Sequence, residues 1–152
     1  MGNARADTPD AARLREGRVL GLDLGDVRIG VAISDPERRL AVPLGTIRVG
    51  NPPGEMDAIA ALVKENDVTL VVVGHPRSLT GARGPRALHA ESFAGAIGVG
   101  VGVTVELQDE RLSTVEAERA LRDAGARGRD VRRAVDRSAA TVILQAWLDG
   151  HR

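Results

Sequence analysis

The sequence has no cysteine and no tyrosine, and Phe93 and Trp147 are its only phenylalanine and tryptophan. Without cysteine, the chain can form no disulfide, no thiolate nucleophile and no cysteine-ligated metal site. With so few aromatic side chains, it is a poor candidate for a protein that stacks unpaired bases on a series of rings. These absences remove two classes of functional site from consideration.

Long apolar runs and an excess of one charge are also absent. The run LVVV at 70–73, like every other apolar run in the chain, is far too short to cross a bilayer. The first residues lack the apolar core of a secretory signal, so we expect a cytoplasmic protein that has no membrane segment. The 21 cationic side chains balance 21 acidic ones. A polyanionic partner would therefore have to bind a local cationic patch.

The length of 152 residues fits one domain. Residues 1–17 are polar and rich in Ala, Arg and Asp, and we expect them to form a disordered leader before a folded domain at 18–150. Apolar runs at 18–24, 28–34 and 41–47 predict a three-stranded meander, since turn residues separate them.

The remainder of the chain alternates between helical and strand patterns. An apolar stripe from Met56 to Val63 predicts a helix, and the run at 69–74 predicts a central strand. A loop at 75–86, a helix at 86–97 and a strand at 101–107 follow. Ser113 and Glu116 form a capping-box pattern for a further helix, and a last helix covers about 130–149. The pattern predicts an α/β fold with a mixed sheet of about five strands.

Asp23 interrupts the first predicted strand. Strand alternation places it on the same face as Gly21 and Gly25, whose small size leaves room for a ligand beside the carboxylate. A buried carboxylate needs a partner or a metal because its desolvation is unfavourable. The alternative is a structural role, in which Asp23 caps the hairpin or pairs with Arg28.

Two further acidic positions have patterns that suit a site. Asp109 and Glu110 directly follow a predicted strand, where loops of α/β sheets hold ligands, and one of the two is expected to point inward. Alternatively, they stabilise a helix N-terminus or pair with Arg111. Asp136 lies at the flank of an apolar helix face, although it could instead pair with Arg132 one turn earlier.

Three inward-leaning acids from three segments are the kind of set that holds one or two Mg²⁺ ions, since hard divalent cations prefer carboxylate oxygens. Such ions can activate a water molecule and stabilise the leaving oxygen in phosphodiester hydrolysis. The sequence therefore indicates phosphoryl transfer to water.

Four stretches, in order, resemble the YqgF family, which is also called RuvX or the pre-16S rRNA nuclease family. They are DLGDVRIGVAISD, VVVGHPRSLTGARGP, DERLSTVEA and VDRSAATVILQAWLD, and the resemblance covers about 18–149. It implies an RNase H-like fold related to the RuvC-type Holliday junction resolvases, with an antiparallel meander plus two parallel strands. It also implies a metal-dependent nuclease that uses Mg²⁺ or Mn²⁺.

Carried over by position, the family's acidic triad falls on Asp23, Glu110 and Asp136, as catalytic residues and metal ligands. Arg28 and Arg111 accompany the triad. Cationic side chains in the loop after the central strand and at the start of the last helix are further candidates for contacts with nucleic acid: Arg77, Arg83, Arg86, Arg132 and Arg133.

The resemblance leaves two substrates open. The first is the 5′ end of precursor 16S rRNA, trimmed during ribosome maturation, and the second is a four-way DNA junction. A junction resolvase needs two active sites for two symmetric strands, so a homodimer is expected for that activity only. A non-catalytic nucleic-acid-binding module is the alternative of another class, but three retained acids argue against it.

Overall fold

The structure is a computed structural model that describes residues 16–50, 54–77, 80–110 and 129–152, with side chains of the last range described from residue 139 onward. Most of the predicted leader and the predicted helix after Ser113 therefore lie outside the described residues. In the described ranges, no helix is both long and apolar enough to cross a membrane.

The described elements are five strands and three helices. In chain order they are β1 (Arg18–Leu24), β2 (Arg28–Ser34), β3 (Ala41–Arg48), α1 (Gly54–Glu65), β4 (Val68–His75), α2 (Pro85–Val101), β5 (Thr104–Asp109) and α3 (Arg129–Gly150). The strands form one sheet of order β3-β2-β1-β4-β5. β1, β2 and β3 pair antiparallel, whereas β4 and β5 add to β1 in parallel. The predicted mixed five-stranded sheet is confirmed.

The predicted boundary between α2 and β5 was wrong: the helix expected at 86–97 ends four residues later, and the following strand starts three residues later. The strand expected at 101–107 begins at Thr104, because α2 continues to Val101 and ends at Gly102. Gly102 adopts the left-handed conformation (φ 78°), and its N–H donates to the carbonyl of Gly98. Glycine is the residue that adopts this helix-ending geometry without a steric penalty. The apolar run alone could not separate the helix end from the strand start.

The sheet is covered on both faces. On one face, Leu20, Leu22 and Ile29 pack in a cluster with Ile59 of α1 and Phe93 of α2. On the other face, a second cluster joins the sheet to α3 through the following buried side chains: Val19, Ala32, Leu70, Val72, Ala140, Ile143, Leu144, Trp147 and Leu148. The fold is therefore a three-layer sandwich in which helices cover both faces of the central strands, whereas most residues of β3 are exposed.

Strand alternation fixes the face on which each side chain of β1 lies. Leu20 and Leu22 belong to the cluster with α1 and α2, and Val19 belongs to the cluster with α3. A Cβ atom built on Gly21 would lie 2.8 Å from Leu144 Cβ, so α3 packs closely on this position. Asp23 shares the α3 face of the sheet because successive strand residues point to opposite faces.

The helix α3 runs antiparallel to β1 and β4. Near its C-terminal end, Gln145 accepts from the backbone N–H of Ala41, and Trp147 donates to Glu106 near the start of β5. Ile143, nearer the N-terminus, lies beside Gly74 close to the end of β4. The first turns of α3 are consequently directed toward the carboxyl ends of β1, β4 and β5.

Candidate active site

Asp23 lies near the carboxyl end of β1, where it pairs in register with Gly30 of β2. It is half-buried, and it has an interaction partner in the structure. Asp23 lies on the first strand, as the sequence pattern predicts, and this strand is inside the sheet because β1 lies between β2 and β4. This position sets Asp23 at the edge where the parallel strands end, which is where α/β sheets hold their ligands.

Glu110 follows β5 directly, and its carboxyl group is close enough to Asp23 for the charge of Asp23 to act on it. Its backbone N–H donates to the carbonyl of His75 at 3.3 Å, which ties the end of β5 to the end of β4. Its Oε2 atom is buried and has no hydrogen-bond partner among the described residues. A buried carboxylate oxygen that accepts no hydrogen bond is unfavourable unless a cation neutralises it.

The pKa of Glu110 is raised to about 7, first by burial and then by the negative charge of Asp23. Arg86 opposes this shift, and Asp109 adds to it. The two carboxylates of Asp23 and Glu110 thus repel each other in a partly desolvated place. This pair of acids is suited to a divalent cation, because Mg²⁺ and Mn²⁺ prefer hard carboxylate oxygens.

Gly74 provides the space that Glu110 occupies. A Cβ atom on Gly74 would overlap Oε2 of Glu110 and would lie 2.7 Å from Cδ1 of Ile143. The lack of a side chain at this buried position of β4 therefore lets the carboxylate of Glu110 contact the strand. Of the two acids that the sequence left open, Glu110 has its carboxylate against Gly74 of β4.

The third predicted acid, Asp136, lies in the first part of α3, where only the backbone is described. It precedes Ala140 by four residues, which is about one turn toward the carboxyl ends of the strands. In the described part of the chain, no group of three His, Cys, Asp or Glu side chains could hold a metal. Arg111 and the side chains of Arg132 and Arg133 also lie outside the described residues.

The loop between β4 and α2 is fastened by its own cations. Arg83 donates two hydrogen bonds to Glu91, at 2.8 and 2.6 Å, and Nε2 of His75 lies 2.7 Å from the same carboxylate. Arg77 donates from Nε and Nη2 to the carbonyl of Gly81. Two of the cations predicted to contact nucleic acid thus hold the loop together, and the sequence pattern gave no signal of this.

Arg86 and Arg28 are placed differently. Arg86, in the first turn of α2, donates to Asp26 at the tip of the β1–β2 hairpin at 3.2 Å, and both side chains are largely exposed. Arg28 is the first residue of β2, and it is exposed. Both arginines flank the edge that carries Asp23 and Glu110, and the charge of Arg86 acts on Glu110.

The family model of RuvX, described as Holliday junction resolvase, matches residues 17–150. The chain belongs to the RuvX family. The resemblance read from the four motifs is therefore confirmed, and the matched residues include every described element of this RuvX chain. The match begins one residue before β1 and ends with the last residue of α3.

Curated relatives of this RuvX chain carry a name that states a reaction. A protein of Anaeromyxobacter sp. (strain Fw109-5) is 47% identical over 133 residues, which are 88% of this chain and 97% of the relative. A protein of Mycobacterium ulcerans (strain Agy99) is 46% identical over 137 residues, 90% of this chain and 81% of the relative. Both are named "Putative pre-16S rRNA nuclease".

A solved structure, T. thermophilus RuvC in complex with Holliday junction substrate, aligns with a TM-score of 0.50 at 17% identity. The alignment covers 89% of this RuvX chain and 95% of the RuvC chain. At this identity the likeness shows the fold alone. The predicted RNase H-like fold is confirmed.

Proposed function

We propose that this chain is a metal-dependent nuclease that hydrolyses phosphodiester bonds in a structured nucleic acid, with the 5′ region of precursor 16S rRNA as its substrate. The observation that carries the proposal is the buried, unpartnered Oε2 of Glu110 beside the carboxylate of Asp23. Two adjacent carboxylates, one of which raises the pKa of the other, do not stabilise a structural core. A nuclease that binds a divalent cation uses such a pair.

Asp23, Glu110 and Asp136 are the residues that would hold Mg²⁺ or Mn²⁺ in this proposal. When bound, the metal supplies Lewis-acid chemistry that activates a water molecule and stabilises the leaving oxygen. The chain's own contribution is geometric. The pairing of β1 with β4 fixes the position of Asp23 relative to Gly74, and the backbone N–H of Glu110 binds the carbonyl of His75. Rigid elements hold metal ligands more accurately than loops do.

Cations around the acids would hold the substrate through its phosphates. We propose Arg28 and Arg86 as direct contacts, since both flank the acidic edge. Arg77 and Arg83 also belong to this predicted set, although their guanidinium groups fasten the loop. Contacts from Arg111, Arg132 and Arg133 stay predictions, because Arg111 and the side chains of Arg132 and Arg133 lie outside the described residues.

The ribosomal substrate is supported by relatives that are 47% and 46% identical and carry the pre-16S rRNA name. The family description favours a second candidate, the resolution of four-way DNA junctions, which would also require a homodimer. A non-catalytic binding module would gain nothing from the two adjacent carboxylates. The homodimer and the cytoplasmic location stay predictions from the sequence.

The test compares the wild-type chain with Asp23→Asn on a precursor 16S 5′ segment and on a four-way DNA junction, each with Mg²⁺. We expect Asp23→Asn to lower cleavage by more than the roughly 10- to 100-fold that loss of an outer-sphere partner causes. Asp57→Asn, at an exposed position of α1, is the matched control and should cleave normally.

The two substrates separate the two candidates. Asp23-dependent cleavage of the RNA alone supports ribosomal RNA processing, whereas paired symmetric nicks in the junction support the resolvase. Equal cleavage by wild-type protein and Asp23→Asn would refute the assigned site. Full activity in excess chelator would refute the metal requirement.

A further inference from the structure

Two arginines oppose each other directly across the β2–β3 pair. Arg28 is in register with Arg48, and both residues are exposed. Neither guanidinium group has a hydrogen bond or ion pair with any residue that the structure describes. Like charges that lie directly opposite each other destabilise an antiparallel pair. Nothing in the fold of the described residues compensates for this repulsion.

Both arginines lie on the α3 face of the sheet, which is the face that carries Asp23. On β2, Ile29, Val31 and Ile33 pack in the cluster with α1 and α2, so Arg28 and Gly30 point to the other face. Ile47 of β3 and Val49, which directly follows β3, pack against that same cluster, which leaves Arg48 beside Arg28. The shared face follows from the register and was not accessible from the sequence pattern.

The spacing connects this pair to the active site. Asp23 is in register with Gly30 of β2, and Arg28 precedes Gly30 by two residues. Arg48 is the register partner of Arg28 on the neighbouring strand β3. Strand geometry then puts the Cα atom of Arg28 about 8 Å, and that of Arg48 about 12 Å, from the Cα atom of Asp23. Between them lie Gly30, which has no side chain, and its register partner Thr46, whose small side chain belongs to an exposed residue.

We propose that Arg28 and Arg48 form a binding site for the phosphate backbone of one nucleic-acid strand, which runs from the acids across β2 to the β3 edge. The planar guanidinium group matches a phosphate with two parallel hydrogen bonds, and two phosphates would relieve the repulsion between the arginines. This inference rests on the proposed function and adds to it the direction in which the substrate leaves the site. Arg48 is a residue that the sequence motifs did not single out.

The test measures binding rather than cleavage. In the Asp23→Asn background with chelator, a labelled precursor 16S 5′ segment is titrated with protein between 50 and 200 mM salt. Arg48→Gln should weaken binding about tenfold and flatten the log–log salt dependence by about 0.7 if the contacted strand is unpaired. Arg48→Lys keeps the charge and should restore most of the slope but only part of the affinity.

Lys64→Gln is the matched control, because it removes one positive charge from an exposed position of α1. Its affinity and salt slope should equal those of the parent. Arg48→Gln should unfold at the same temperature as the parent or higher, since it removes a repulsion, and this excludes misfolding as the cause of weaker binding.

The outcomes separate the inference from the proposed function. If Arg48→Gln binds with unchanged affinity and slope while the wild-type chain still cleaves, the arginine site is wrong and the nuclease stands. If the Asp23→Asn chain binds no nucleic acid at low salt and the wild type cleaves none, the proposed function fails and the arginine site fails with it.

Discussion

Replacing Glu110 with glutamine tests the physical basis of the site more directly than an activity assay does. The carboxyl group has an ordinary pKa of 4.5, which the fold raises to about 7. Below about pH 4.5, both the folded and the unfolded chain carry the proton. As the pH rises toward 7, the unfolded chain releases this proton first, so the metal-free fold loses stability.

The magnitude follows from the shift. Each pKa unit corresponds to about 1.4 kcal/mol, so the full shift of Glu110 amounts to about 3 kcal/mol. Because the group is only partly buried, solvent screening reduces the expected loss to about 2 kcal/mol. For a chain of this length, that loss lowers the unfolding temperature by roughly 4–8 °C between pH 5 and pH 8.

The assay is thermal unfolding in chelator across this pH range for the wild type, Glu110→Gln and Glu65→Gln. Glu110→Gln has no carboxyl group to titrate at this site, so its unfolding temperature should fall less steeply with pH. Glu65 is exposed on α1, and its variant should follow the wild type. Adding Mg²⁺ at pH 8 should recover the lost stability in the wild type and in Glu65→Gln only, because cation binding favours the ionised carboxylate.

Two results would refute this reasoning. Parallel pH profiles for the wild type and Glu110→Gln in chelator would show that burial beside Asp23 does not shift the pKa of Glu110. Equal stabilisation of both proteins by Mg²⁺ would show that Glu110 is not a ligand.

Two substitutions in the surroundings of the site extend these tests. Gly74→Ala should destabilise the fold by about 1–3 kcal/mol and reduce cleavage, because its Cβ would overlap Glu110 and crowd Ile143. Normal stability together with normal activity would contradict the close packing of Glu110 against Gly74. Leu144→Ala should cost about 2–5 kcal/mol in urea unfolding, because Leu144 is fully buried between α3 and the sheet. A loss below about 1 kcal/mol would show that α3 does not pack on β1 as described.

The sequence by itself determined the elements and their faces. Period-two alternation in β1 put Asp23 opposite Leu22, and turn residues between the first three strands predicted the meander. These features are local, because the side-chain period and the turn chemistry are set by a few neighbouring residues. The resemblance to the family then assigned Asp23, Glu110 and Asp136 to one acidic triad, although the sequence between these residues carries no information on the distances between them.

Only the tertiary structure decided how these elements meet. The placement of β4 between β1 and β5 brought Gly74 against Glu110 and left its Oε2 buried. The register of β2 with β3 set Arg28 against Arg48, and α2 brought Glu91 to Arg83 and His75. The same alternation is compatible with many strand orders and registers, so no local pattern fixes these contacts. They exist because burying both faces of the central strands selects one arrangement of the described elements.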